Sequence, residues 1–324
     1  MAQHFLLSSA ARTLSLVTVA RMSDEEAHDA FRMIRWCDTG GEPVCPRCQC
    51  GAVYSYKTRK LYKCQGCTHQ FSVTSGTIFA SRKLAIRDYL LAIAIFVNGA
   101  KGHSALQLAR DINVQYKTAY VLSHKLREAM AAEMNEATVG GTVEVDGAYF
   151  GGHIRPANYK ENRRDRRLAK NQNGKRRVVV IMRERGGRTL PFVFKSEGAS
   201  LATIGKRVNA DATVHADEAL HWDELHTFYL TKRINHSEAY SDGEACTNQA
   251  ESFFSRLRRA EIGTHHHIAG PYLSAYSSEM AWREDHRRVS NGEQYLMIAS
   301  AALTHPVSRQ WKGYWQRAIS PKTA

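Results

Sequence analysis

Residues Thr142 to Gly152 read TVEVDGAYFGG, and their interpretation decides the fold. Val143 and Val145 alternate with Glu144 and Asp146, the period of two expected of a half-buried strand. Gly151 and Gly152 end the run. A carboxylate in the second half of such a strand is costly to bury unless a metal ion, a proton or a basic partner compensates it. Asp146 is therefore a candidate ligand, with a solvated turn residue as the plain alternative. Glu144 shares its strand face by alternation and is the acid with which it is most easily confused.

Downstream, Val178 to Met182 and Leu190 to Phe194 predict a hairpin about Gly186-Gly187, which with the Asp146 strand makes an antiparallel three-stranded meander. Residues 199–208 predict a helix. Thr213 to Ala216 predict a strand ending at Asp217-Glu218, with His215 and Asp217 on one face, and Arg233 to His236 a fifth strand. In the stretch Thr247 to Arg259, Ala250, Phe253, Phe254 and Leu257 recur at i, i+3, i+4 and i+7, the pattern of an amphipathic helix. Asn248 and Glu251 at its start have the spacing of a capping box. The competing reading has Glu251 completing a carboxylate cluster with Asp146 and Asp217. Residues 271–303 read as helical, their Arg and aromatic side chains as packing plus a solvated face.

Upstream, Cys45-Pro-Arg-Cys48 and Cys64-Gln-Gly-Cys67 are separated by fifteen residues. Two such knuckles match a four-thiolate zinc site, which is structural because it leaves no open position for substrate. Val53 to Tyr56, Leu61 to Lys63 and Gln70 to Val73 supply the short strands of a zinc ribbon, and Cys37 and Cys50 fall outside the frame. Residues 23–36 predict a short helix capped by Ser23. Residues 84–97 are apolar nearly all round and predict a buried helix. Beyond them, Ser104 caps a helix that ends near Arg110, a turn follows at Asp111 to Val114, and a third helix buries Ala119, Leu122, Leu126 and Met130. Gln115, Tyr116, Lys117, His124 and Arg127 are left for its other side, which fits a helix-turn-helix reading a major groove.

The formal charge of the 324-residue chain is +14, which points to a polyanionic partner, nucleic acid first. Its most basic segment, Lys160 to Arg177, contains Arg163, Arg164, Arg166, Arg167 and Lys170, and between two strands it is suited to neutralising phosphates. No apolar run is long enough for a membrane helix, so no membrane partner is expected. Residues 1–21 make a poor signal peptide and read as an extension without a fold of its own.

In order, CPRC, CQGC, HQFSVTSGTIF, VEVDGAYFGG, VHADEAL, INHS and TNQAESFFSRLRR resemble a bacterial insertion-sequence transposase that joins an N-terminal zinc ribbon to a DDE-type RNase-H-like domain, relatives of the eukaryotic Merlin elements. The resemblance implies an α/β fold: an RNase-H-like catalytic domain, with a mixed five-stranded sheet and helices, preceded by a zinc ribbon and a helix-turn-helix-like region. The expected divisions are an extension at 1–21, helix plus ribbon at 22–80, a helical DNA-binding region at 81–137, the catalytic domain at 138–305 and a tail at 306–324.

It further implies Asp146, Asp217 and Glu251 as the catalytic acids, with Asn248 able to fill or share the third place. Two Mg2+ or Mn2+ ions would sit on Asp146, Asp217 and Glu251, and structural Zn2+ on Cys45, Cys48, Cys64 and Cys67. Lys117, Arg127, Arg163, Arg164, Arg166, Arg167, Lys170 and Arg258 would contact DNA. Arg258 stands where relatives usually have Lys, and Gly147-Ala148 where they tend to have an acid and Thr. The implied activity is 3′-end cleavage at terminal inverted repeats and strand transfer to target DNA, by a homodimer or higher oligomer, in the cytoplasm of a bacterium beside its nucleoid. The alternatives are a zinc-ribbon DNA-binding regulator or inactive domesticated transposase, and a stand-alone metal-dependent nuclease.

Overall fold

The computed structural model describes residues 4–152, 154–165, 168–171, 173–234 and 246–314. It divides into two compact units, Met1–Ala132 with Arg288–Ala324, and Glu133–Arg287. Among the described residues no helix is long and apolar enough to cross a membrane.

The first unit opens with short helical turns and α1 (Leu16–Ala20), then α2 (Asp24–Arg35), whose N-terminus carries a capping box between Ser23 and Glu26. The ribbon strands are β1 (Val53–Tyr56), β2 (Leu61–Cys64) and β3 (Gln70–Ser72), antiparallel in that order. Arg35 at the end of α2 donates to the carbonyls of Ser72, Val73 and Ser75, and Trp36 meets Tyr62 edge-on at 5.6 Å. The ribbon is thereby fastened to α2.

Three helices follow, α3 (Ile86–Asn98), α4 (Ala105–Asp111) and α5 (Tyr116–Ala132). The Ser104 hydroxyl accepts from Gln107 N at 3.1 Å, capping α4 as expected. Asn113, at φ +50°, makes the tight turn between α4 and α5. Asn is among the few residues that tolerate this left-handed conformation.

Two expectations change in this unit. The described part of the expected extension, residues 4–21, is not without fold, because Val19 is buried and the Thr13 and Leu14 N–H groups both donate to Asn291 Oδ1 at 2.9 Å. Asn291 opens α9 (Asn291–Thr304), which packs on α2, α3 and α5 through Tyr295, Ile298, Ala299, Ala302 and Leu303. This helix belongs to the first unit and not to a catalytic domain reaching residue 305, because its apolar face is complementary to that helical bundle. Within the expected tail, Trp311 is buried and stacks on His124 at 4.3 Å.

The second unit is built on a five-stranded sheet of order β6-β5-β4-β7-β8: β4 (Thr142–Phe150), β5 (Arg177–Glu184), β6 (Thr189–Phe194), β7 (Thr213–Asp217) and β8 (Leu230–Ile234). The first three strands form the expected antiparallel meander, and β7 and β8 add in parallel. The fifth strand begins three residues before the expected Arg233, and the end of the INHS motif lies outside the described residues.

Alternation divides the core into two layers. Val143, Val145, Val178, Val180, Val214 and Ala216 face α6 (Leu201–Arg207) and a 3-10 segment at Leu220–Thr227, packing with Ile204, Trp222 and Leu225. Ala148, Phe150, Val179 and Ile181 face α7 (Asn248–Ala260) and α8 (Leu273–Asp285), packing with Ala250, Phe253, Phe254 and Leu257. The predicted i, i+3, i+4, i+7 face of α7 is therefore the face that is buried.

Candidate functional site

The four ribbon cysteines form a closed site. Cys45 Sγ lies 3.6 Å from Cys67 Sγ and Cys48 Sγ 3.5 Å from Cys64 Sγ, and all four sulfurs fall within 4.8 Å of one another. A tetrahedron of Zn–S bonds of about 2.3 Å has edges of about 3.8 Å, so the donor set and its spacing fit a structural zinc ion. Each knuckle turns the same way: Gln49 N donates to Cys45 O, Thr68 N donates to Cys64 O, and Gln49 and Thr68 both have positive φ. The Cys67 backbone N–H draws the Cys64 thiol down to about 6, toward the thiolate that a metal requires.

The carboxylate site is open and is assembled from distant parts of the chain. Even-numbered residues of β4 and odd-numbered residues of β7 share the α7 side of the sheet, with Glu144 registered opposite His215. One pleat further on, the same alternation sets Asp146 and Asp217 on adjacent strands. Asp146 is half-buried, and its Oδ1 accepts from Gly147 N at 2.7 Å. Burial first, and then the charges of Asp217, Glu251 and Glu197, push its carboxyl up to about 7. Three of the sequence-predicted acids thus share one electrostatic neighbourhood, although they come from two strands and a helix.

Among the described residues, the metal-ligating group within 4.8 Å is the four cysteines alone. The carboxylates are more widely spread than that. The part of the Asp146 shift that comes from the neighbouring negative charges would equally favour a divalent cation, and the donors are the hard oxygens that Mg2+ or Mn2+ takes.

The other predicted residues divide. Asn248 is the exposed first residue of α7. It is not the helix cap: the N-cap is Thr247, whose side chain makes no capping bond. Arg258 is exposed seven residues after Glu251, two helical turns along α7. Lys117, Arg163, Arg164 and Lys170 are exposed, and Arg166 and Arg167 lie outside the described residues. Arg127 corrects the sequence reading. It is 1% exposed, with its guanidinium over the Phe96 ring at 5.5 Å, so it serves the helical core and is not available to DNA. His124, assigned to the same outer side, is likewise fully buried. The inner face of α5 is wider than its aliphatic residues alone suggest, because an Arg stem and an imidazole pack as apolar bodies.

Sequence reasoning gave Glu197 and Glu144 no role at the site. Glu197, after β6, pairs with His221 at 3.1 Å. A Cβ at Gly147 would come within 2.6 Å of Glu197 Oε1, so a side chain there would displace it. Glu144 is fully buried, and its Oε2 accepts from Gln249 N at 2.8 Å and Ala250 N at 3.0 Å. Alternation identifies its face, but no local signal identifies these partners.

Acid-bearing β4 and β7 lie side by side in a mixed sheet, with α7 across their shared face and a zinc ribbon earlier in the chain; this is the architecture of an RNase-H-like transposase domain with an N-terminal ribbon. Residues 138–285 match the ISXO2-like transposase domain, and residues 22–70 match the transposase zinc-ribbon domain. The chain belongs to the insertion-sequence transposases that join these two domains. It is 24% identical over 295 residues to an uncharacterized protein in transposable element ISH50 of Halobacterium salinarum, covering 87% of this chain and 98% of that protein. No solved structure matches the chain.

Proposed function

We propose that this transposase binds the terminal inverted repeats of its element, cleaves the 3′ ends and joins them to target DNA, with Asp146, Asp217 and Glu251 as its catalytic acids. The observation that carries the reading is the placement of Asp146 beside Asp217 on adjacent strands, with its proton affinity raised by burial first and then by the charges of Asp217 and Glu251. Acids distant in sequence act on one another only where the fold has gathered them, and a gathered set of carboxylates is a site for cations. Glu251 is preferred to Asn248 as the third member because its charge acts on Asp146.

Asp146, Asp217 and Glu251 would hold Mg2+ or Mn2+, which when bound supplies charge stabilisation to the attacking and leaving oxygens of an in-line displacement. In hydrolysis, the oxygen of water forms a bond to phosphorus and the bond to the leaving strand oxygen breaks, freeing a 3′-hydroxyl. In transfer, that hydroxyl oxygen attacks a target phosphodiester and one P–O bond replaces another. Arg258 on α7 and the exposed Arg163, Arg164 and Lys170 before β5 offer positive charge to the DNA backbone. Arg166 and Arg167 belong to the same basic segment.

The ribbon and the α4–α5 pair would carry repeat binding, with Lys117 exposed at the start of α5. Pairing two ends calls for a homodimer or higher oligomer on DNA, acting in the cytoplasm at the nucleoid. The test is end cleavage and joining on the element's flanking DNA. Asp146→Ala and Asp217→Ala are each expected to abolish both products while repeat binding persists in gel shift. Cleavage retained by either variant would sink the assignment. Cleavage by wild type without joined product would indicate a stand-alone nuclease.

A further inference from the structure

Helix α7 carries Glu251, yet it begins without a cap of its own. The first N–H groups of a helix have no intrahelical partners, and the Thr247 side chain at the N-cap position does not cap them. The partner is supplied from the sheet. A single oxygen of Glu144, Oε2, accepts from both Gln249 N and Ala250 N, where a negative charge also meets the positive end of the helix dipole.

The second oxygen is occupied as well. Arg185 Nε donates to Glu144 Oε1 at 2.9 Å. Arg185 Nη2 reaches the Cys246 carbonyl at 3.0 Å and His215 Nδ1 at 3.1 Å, and that same ring nitrogen accepts from Cys246 N at 3.2 Å. Cys246, two residues before α7, and the first turn of α7 are thus tied to Glu144 on β4, to His215 on β7 and to Arg185 just after β5. Glu144 stands two residues before Asp146 on the same face, and Ala250 directly precedes Glu251.

We propose that Glu144 is a positioning residue, which holds Glu251 at a fixed place relative to Asp146 by capping α7 from the neighbouring strand. This rests on the reading of Asp146, Asp217 and Glu251 as the divalent-ion site. Glu144 itself is not a ligand: both of its oxygens are engaged by protein donors, and it is shut off from solvent. Groups that orient metal ligands typically matter about 10–100-fold in metal affinity.

The experiment is Mn2+ binding to the full-length protein, followed by the electron paramagnetic resonance of free Mn2+, with thermal unfolding of each variant. Glu144→Ala is expected to weaken Mn2+ binding about 10–100-fold. Because Glu144 acts through Glu251, adding Glu144→Ala to Glu251→Ala should weaken binding by no more than about twofold beyond Glu251→Ala alone, the non-additivity of coupled neighbours. Full additive loss in the double variant, or unchanged binding by Glu144→Ala, overturns the proposal.

If Glu144→Ala does not fold, two subtler variants decide. Glu144→Gln keeps the reach and an accepting oxygen, whereas Glu144→Asp keeps the charge and withdraws it by one methylene. Capping predicts tighter Mn2+ binding by Glu144→Gln than by Glu144→Asp, and the reverse order overturns it. Wild-type protein that binds no Mn2+, or binding indifferent to Asp146→Ala, brings down the site reading and this proposal together. Binding that depends on Asp146 but not on Glu144 brings down this proposal alone.

Discussion

The ribbon cysteines and the sheet carboxylates are both clusters of potential ligands, but they are built in opposite ways. The cysteines span only residues 45–67 and close to within 4.8 Å. Two tight turns bring each pair together, and a three-stranded ribbon brings the pairs face to face. The acids span residues 146–251, with a basic segment, α6 and several strands between them. Their juxtaposition depends on a parallel pairing of β4 with β7 and on a helix capped by a strand. The difference teaches that a closed site can be its own fold energy, whereas an open one is held by the core around it.

The sharpest way to break this comparison is to remove a ligand from the closed site. Cys64→Ser should unfold the ribbon, since structural zinc in such small sites is worth on the order of 10–16 kcal/mol of folding at pH 7. Zinc content and limited proteolysis of residues 45–72 would check it, and a folded zinc-free ribbon would contradict it. The open site should instead yield to a change in its core. Phe253, 1% exposed on the buried face of α7, is expected to cost about 3–5 kcal/mol as Phe253→Ala, read by denaturant unfolding, with divalent-ion binding weakened in step.

A change of pH should separate the two further. The Asp146 carboxyl is raised to about 7 from an ordinary value of 3.8, so between those values the folded state holds a proton that the unfolded chain has released. Its contribution to stability therefore falls as pH rises through that window and levels off above it. A divalent ion bound at Asp146 would compete with the same proton. The gain in melting temperature on adding Mn2+ should accordingly be larger at pH 8 than at pH 6, and an equal gain at both would count against ion binding at Asp146.

The smallest expected effect lies on α5. Lys117→Ala should lower repeat affinity and reduce the salt slope by about 1 without changing the melting temperature, as loss of one phosphate contact does. Arg127→Ala should do the reverse, lowering the melting temperature and leaving the salt slope unchanged, because that side chain is buried against Phe96. Matched binding and melting measurements would expose any exchange of these roles.

Local chemistry settled much of this molecule in advance. Paired cysteines at fixed spacing, alternation in TVEVDGAYF and the 3.6-residue period of α7 each involve groups that meet within a turn or a pleat, so the chain displays them directly. The strand faces of Asp146 and Asp217 were legible for the same reason. Tertiary structure decided the rest: that Arg127 turns inward, that α9 joins the first unit, and that the start of α7 is satisfied by Glu144 and not by its own Asn248. Those outcomes depend on which surface each side chain meets, and two donors on a distant helix leave no imprint in the residues around Glu144. The opening strand is thus readable as a strand bearing two acids, but only the fold leaves Asp146 half-buried near Asp217 and closes Glu144 off against the first turn of α7.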